Sequence, residues 1–226
     1  VSRSLFITGT DTGVGKTLVA RAVLMRLRSE GYSAAGFKPV AAGAERSGEG
    51  LRNDDALLLQ AASAPGLDYA EVNPWCFEPP IAPHLAAREA GASLAIEALD
   101  AAHARLAARH PCVVVEGAGG WLVPLGQGFG YADWVERQRW PVLLVVGMRL
   151  GCLNHALLSA EAIRHRTHLM GWVANALPPQ QDRLWDNIDT LRALLPEPLV
   201  ATVLPGATAA QIAQALDWKA LHAQIG

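Results

Sequence analysis

The 226-residue chain is poor in cysteine: Cys76, Cys112 and Cys152 stand far apart, with no C-x-x-C pair. That spacing excludes a disulfide framework and a zinc knuckle. An excess of either charge is also missing. With 19 Lys and Arg against 21 Asp and Glu, the formal net charge is -2, without long like-charge runs. Neither nucleic acid nor a membrane surface is therefore expected as a partner. The longest apolar run, residues 141–148, is far too short to span a bilayer. The opening Val-Ser-Arg-Ser leaves no room for a signal peptide, so a cytoplasmic location is expected. Aromatic residues make up only 6%, and the 7 tryptophans are dispersed and read as structural.

Apolar residues are abundant, at 51%, enough for a core on both sides of a sheet. Residues 5–8 read as a buried strand and residues 17–29 as a helix closed by Gly31. Residues 34–40 read as a second strand, followed by a polar loop "AAGAERSGEGLRND" and a helix over 56–62. The prolines of "NPWCFEPPIAPH" predict an irregular connection, and "ASLAIEALDAAHARLAARH" a long amphipathic helix ended by Pro111. Apolar runs "CVVVEG", "PVLLVVG" and "GWVAN" then alternate with helical segments at 133–137, 155–165 and 182–195, and a run at 199–203 precedes the last helix. Continuous apolar strands alternating with amphipathic helices predict an α/β fold: a mostly parallel, doubly wound sheet with helices on both faces. With no repeat or linker, residues 1–226 read as one domain.

The stretch "GTDTGVGKT" carries the first chemistry. A phosphate-binding loop usually has four residues between its first glycine and the Gly-Lys-Ser/Thr end, but here five separate Gly9 from Gly15. Strand, glycine turn, Gly-Lys-Thr and helix in that order still place backbone N–H groups and a helix dipole where an anion can bind. Gly13, Val14, Gly15 and Leu18 belong to that cradle, Lys16 can reach the outer phosphates, and the Thr17 hydroxyl is placed for Mg2+. ATP or GTP binding follows. Glu116 ends a buried strand at the edge where doubly wound sheets bind ligands, and can hold a metal. Lys38 lies on the same edge, which suggests a site handling more negative charge than one triphosphate. Asp54 and Asp55 open a helix, where at least one serves only the dipole. "RLGCLNHA" opens another helix, either as an anion site or as a simple cap by Asn154, and Asn175 could read a base edge. His165 and His168 lack acidic or cysteine company for a metal.

Taken together these residues resemble the dethiobiotin synthetase family, ATP-dependent enzymes of biotin biosynthesis. The family loop G-T-D-T-x-V-G-K-T is matched in full, followed in order by "GFKPVAAG", "EGLRNDDAL", "VNPW", "VVVEGAGGWLVPL", "ADWV", "PVLLVV", "LGCLNHALL" and "GWVAN"; the last fifty residues match only loosely. The resemblance implies ATP and Mg2+ as cofactors, and 7,8-diaminononanoate with CO2 or bicarbonate as substrates. It implies Lys16, Lys38 and Thr12 as catalytic groups and Thr17, Asp55 and Glu116 as the magnesium set. Gly117, Ala118 and Gly119 would approach nucleotide and diamine, and Asn175, Ala176 and Pro205 would hold adenine. A homodimer is also implied, with Leu150, Gly151, Cys152 and Asn154 holding the substrate carboxylate across the interface. One position departs: Ala42 stands where the family has a Ser or Thr that touches substrate. The alternatives are a partition or septum-site nucleotide switch and a kinase-like or amidotransferase-like enzyme on the same fold. The switch proteins need an early loop lysine where this chain has Asp11.

Overall fold

A computed structural model describes residues 3–126 and 128–225; Val1, Ser2, Gln127 and Gly226 fall outside the described residues, and with Val1 and Ser2 half of the lead-in read above. The elements follow in the order β1 (Arg3–Gly9), α1 (Lys16–Ser29), β2 (Ala34–Phe37), β3 (Val40–Ala42), β4 (Glu45–Ser47), β5 (Gly50–Arg52), α2 (Asp54–Ala62), α3 (Tyr69–Val72) and β6 (Trp75–Phe77). Next come α4 (Pro83–Glu89), α5 (Ile96–Ala107), β7 (Cys112–Glu116), β8 (Pro124–Gly126), β9 (Phe129–Gly130), α6 (Tyr131–Gln138) and β10 (Val142–Met148). The chain ends with α7 (Cys152–Arg164), β11 (Leu169–Ala176), α8 (Leu184–Leu194), β12 (Leu199–Val203), α9 (Ala209–Ala215) and α10 (Trp218–Ile225).

Six strands form one parallel sheet in the order β12-β11-β10-β1-β7-β2. β1, β7, β10 and β11 are buried almost throughout because helices cover both faces. From β1 the chain moves to one side of the sheet, and it later returns through β10 to the other. The carboxyl ends of β1, β7 and β2 thus share the edge where such sheets bind ligands. α1 buries Val19, Val23, Leu24 and Leu27. Four of the dispersed tryptophans, Trp121, Trp134, Trp140 and Trp172, are buried, and two of them meet: Trp134 packs on Trp140 with ring centres 4.8 Å apart, while Trp121 meets Phe6 at 6.2 Å.

Several expectations need correction. The strand read over 34–40 ends at Phe37, because Pro39 has no N–H for the ladder; Val40–Ala42 turns away and pairs with β6. The polar loop after it holds the exposed hairpin β4–β5, and the proline-rich connection holds β6 and the start of α4, whose Pro83 stands in the first turn where a missing N–H costs nothing. The long helix before Pro111 is confined to Ile96–Ala107, and the last helix is two, α9 and α10.

Candidate active site

The loop from β1 to α1 is shaped by glycines in conformations other residues resist. Gly13 and Gly15 have φ of 72° and 89°, and a Cβ on Gly15 would lie 2.2 Å from the Asn175 amide nitrogen. Gly15 caps α1 without any side-chain cap, which leaves the first-turn N–H groups to a ligand. From β11, Asn175 donates to the Val14 carbonyl at 2.8 Å. The amide expected to read a base edge thus holds the loop from behind.

At the loop's far end, Lys16 Nζ donates to the Asp11 carbonyl at 2.8 Å. Burial, then the nearby charge of Lys38, lowers Lys16 to about 8, against the pull of Glu116, Asp55 and Asp11. Lys38 Nζ donates to Glu116 Oε1 at 2.6 Å and to Asp55 Oδ2 at 2.9 Å. Burial disfavours its charge, yet the two carboxylates more than offset this and hold the ammonium above its ordinary value. Burial would raise Asp55 in turn, but Lys38 outweighs it and the carboxyl sits below its usual range. Thr17 Oγ1 donates to Glu116 Oε1 at 2.9 Å. Glu116 is fully buried, and its Oε2 has no hydrogen-bond partner among the described residues. Two carboxylates, a hydroxyl and an unspent buried oxygen are hard donors that fit Mg2+, which binds through one or two carboxylates plus phosphate oxygens. Among the described residues no three His, Cys, Asp or Glu side chains could hold a metal by themselves. Asp54, by contrast, is an ordinary exposed first-turn acid.

Lys38 and Asp55 are placed by a network that the sequence did not reveal. The Tyr69 hydroxyl accepts from Asn53 N at 2.8 Å and donates to Asn73 Oδ1 at 2.9 Å. Asn73 Nδ2 donates to the Lys38 carbonyl at 2.7 Å, while Asn53 caps α2 by accepting from Ala56 N. One phenol therefore ties the segment carrying Lys38 to the helix carrying Asp55.

These groups open into a cleft of about 830 Å³ lined by Thr12, Gly13, Gly15, Lys16, Thr17, Leu18, Lys38, Ala42, Asp55, Glu116, Ala118 and Gly119. Pro80, Ile81, Ala82, Val123 and Pro124 add an apolar wall, and Arg21 and Leu58 a further side. None of these seven was singled out individually by sequence; the proline-dense run held Pro80, Ile81 and Ala82, and the run "VVVEGAGGWLVPL" held Val123 and Pro124. Val14 and Gly117 lie buried behind the lining. Ala176 is buried at the end of β11 and Pro205 is exposed beyond β12. Leu150, Gly151, Cys152 and Asn154 do not line the cleft; Leu150 is 97% exposed. Beside them Arg149 forms an ion pair with the Asp11 carboxylate.

Comparison with known proteins bears on this arrangement. The profile of an AAA domain family matches residues 3–211. The ATP-dependent dethiobiotin synthetase BioD of Aeromonas hydrophila is 48% identical over 203 residues, covering 89% of this chain and 90% of that protein. Its counterpart in Xanthomonas euvesicatoria is 47% identical over 217 residues, covering 95% and 97%. Among solved structures, a ParA family ATPase from Chlorobium tepidum superposes with a TM-score of 0.59 at 12% identity, covering 98% of this chain and all of that one. The signal recognition particle receptor FtsY from Elizabethkingia anophelis gives 0.52 at 14%, this chain spanning 65% of it. These two likenesses show the α/β fold and no more. Near half-identity along nine-tenths of the chain is the narrower finding, and by it the chain belongs to the family of ATP-dependent dethiobiotin synthetases, enzymes of biotin biosynthesis.

Proposed function

We propose that the chain converts 7,8-diaminononanoate and CO2, with ATP, into dethiobiotin, ADP and phosphate. The observation that carries the reading is the meeting of Lys16 with the Lys38–Glu116–Asp55 cluster at the mouth of the phosphate loop. Phosphoryl transfer asks little covalent help from protein; it asks for positioning and positive charge.

One amine of the substrate adds to CO2 and loses a proton, giving a carbamate. A carbamate oxygen attacks the γ-phosphorus and ADP leaves. The second amine then attacks the carbonyl carbon, phosphate leaves with the C–O bond electrons, and loss of a proton completes the cyclic urea. Lys16 exchanges its Asp11 carbonyl contact for the moving phosphoryl group. Lys38 faces the carbamate and the charge that develops on it, and Thr12 with the turn at Gly119 positions the reacting end. Mg2+ held by Thr17, Asp55 and Glu116 supplies neutralising charge to the phosphates when bound. Asn175, Ala176 and Pro205 border the adenine end. At Ala42 a methyl faces the cleft, and the substrate contact that a hydroxyl would have made is lost or passes to water.

The substrate tail is assigned to a second copy of the chain. The segment Leu150, Gly151, Cys152 and Asn154 opens α7 outside its own cleft, and Leu150, Leu158 and Trp185 leave apolar surface exposed near it. A homodimer that brings this helix start to the neighbour's cleft accounts for both features.

The test is direct: protein, ATP, Mg2+, bicarbonate and diaminononanoate, with mass spectrometry for the cyclic urea. Product that requires all five components is expected. ATP turnover indifferent to the diamine would overturn the reading.

A further inference from the structure

Arg21 stands on α1 one turn beyond Thr17. Side chains on a helix lean toward its N-terminus, so Arg21 reaches back along the Thr17 and Leu18 face, and it lines the same cleft as Lys16. Among the described residues its Nε, sealed from solvent, has no hydrogen-bond partner and the guanidinium makes no ion pair. Other arginines of the same helix are engaged: Arg26 pairs with Glu30, and Arg28 donates to the Ala62 carbonyl.

The charges lining the cleft, among the described residues, are Lys16, Arg21 and Lys38 against Asp55 and Glu116. Lys38 is paired with both carboxylates. The pairs leave a net positive charge of one with two cations outside them, and of these Lys16 already donates to a carbonyl while Arg21 donates to none of the described residues. A part-buried guanidinium without an acceptor is costly, and an incoming anion relieves that cost.

We infer that Arg21 is a third cation for the nucleotide's phosphates, reaching them from the α1 side while Lys16 reaches them from the loop. This rests on the nucleotide reading above. A phosphate is favoured over the substrate carboxylate because Arg21 leans on the helix turn whose N–H groups serve phosphate. The residues assigned to the diamine lie off α1: Thr12 and Gly119 belong to loops and Ala42 ends β3.

Isothermal titration of wild type, Arg21→Ala, Arg21→Gln and Arg21→Lys with Mg·ADP and with adenosine tests this. Loss of one charge-assisted contact is expected to weaken Mg·ADP about ten- to a hundredfold in the Ala and Gln variants. Lys should recover part of the loss, and adenosine affinity should not change. The Gln variant keeps most of the stem and controls for lost packing. Wild-type Mg·ADP affinity in all three variants would overturn the inference, as would an equal loss for adenosine. A variant that keeps Mg·ADP but binds diaminononanoate more weakly would assign the guanidinium to the carboxylate and overturn it equally. Failure of the wild type itself to bind Mg·ADP would instead bring down the nucleotide reading.

Discussion

Lys16 is held with its ammonium on the Asp11 carbonyl, lowered to about 8 by burial and by Lys38. A phosphate that replaces the carbonyl favours the charged form, so nucleotide binding near and above pH 8 draws in a proton. Mg·ADP affinity is expected to be flat below about pH 7 and to fall as pH rises through 8, approaching tenfold per pH unit. Titrations in buffers of different ionisation enthalpy would show the matching proton uptake; affinity flat to pH 9.5 would contradict it. Lys16→Ala removes the same group outright, and turnover should fall by about a hundredfold or more. Near-normal product formation by that variant would reduce Lys16 to a binding residue.

At the scale of elements, Tyr69 joins the start of α2 to the turn that carries Lys38. Tyr69→Phe leaves Asn53 N and Asn73 Oδ1 without their partner, at a cost of about 1–3 kcal/mol. Turnover should drop roughly tenfold with little change in ATP KM. In an Asp55→Asn background, where the helix no longer presents the charge, the same substitution should cost much less in kcat while still lowering thermal stability. An equal kcat penalty in both backgrounds would make Tyr69 a structural residue only. The legibility of the chain in its sequence divides along similar lines. The six sheet strands, the phosphate loop, Lys38 and Glu116 could be read because apolar runs and their polar ends mark one sheet edge. The Tyr69–Asn73–Asn53 network could not, because its partners lie up to 35 residues from the Lys38 they support and carry no periodicity. The apolar wall at Pro80 to Pro83 was hidden for another reason: proline density signals a break in structure, and says nothing about what the broken segment faces.

Over the whole molecule, His103 offers a readout of stability. It lies on α5, accepts or donates at 2.8 Å with Ser4 of β1, and stacks 4.4 Å from Trp140. Burial lowers it to about 4, while Asp100 pulls weakly the other way. The folded protein therefore holds this ring neutral, whereas the unfolded chain protonates near pH 6.5. Its contribution is complete above about 6.5 and is lost as pH falls toward 4, amounting to about 3 kcal/mol at most. Urea midpoints measured from pH 7.5 to 4.5 should fall more steeply for wild type than for His103→Gln. Parallel curves would show that the ring is not held neutral by the fold. The same midpoint series leaves the cleft untouched, since His103 lies outside its lining.

Besides accepting from Thr12 N, Asp11 makes two longer-range contacts with two different parts of itself: its carbonyl receives Lys16, and its carboxylate receives Arg149 beside the start of α7. Any amino acid at that position would supply the first, and only an acid the second. Mutational drift at residue 11 can therefore erase the tie to the neighbouring turn while the lysine keeps its rest position. The two contacts can be inherited separately, and a reversed pair, Asp11→Arg with Arg149→Asp, would restore the one without having disturbed the other.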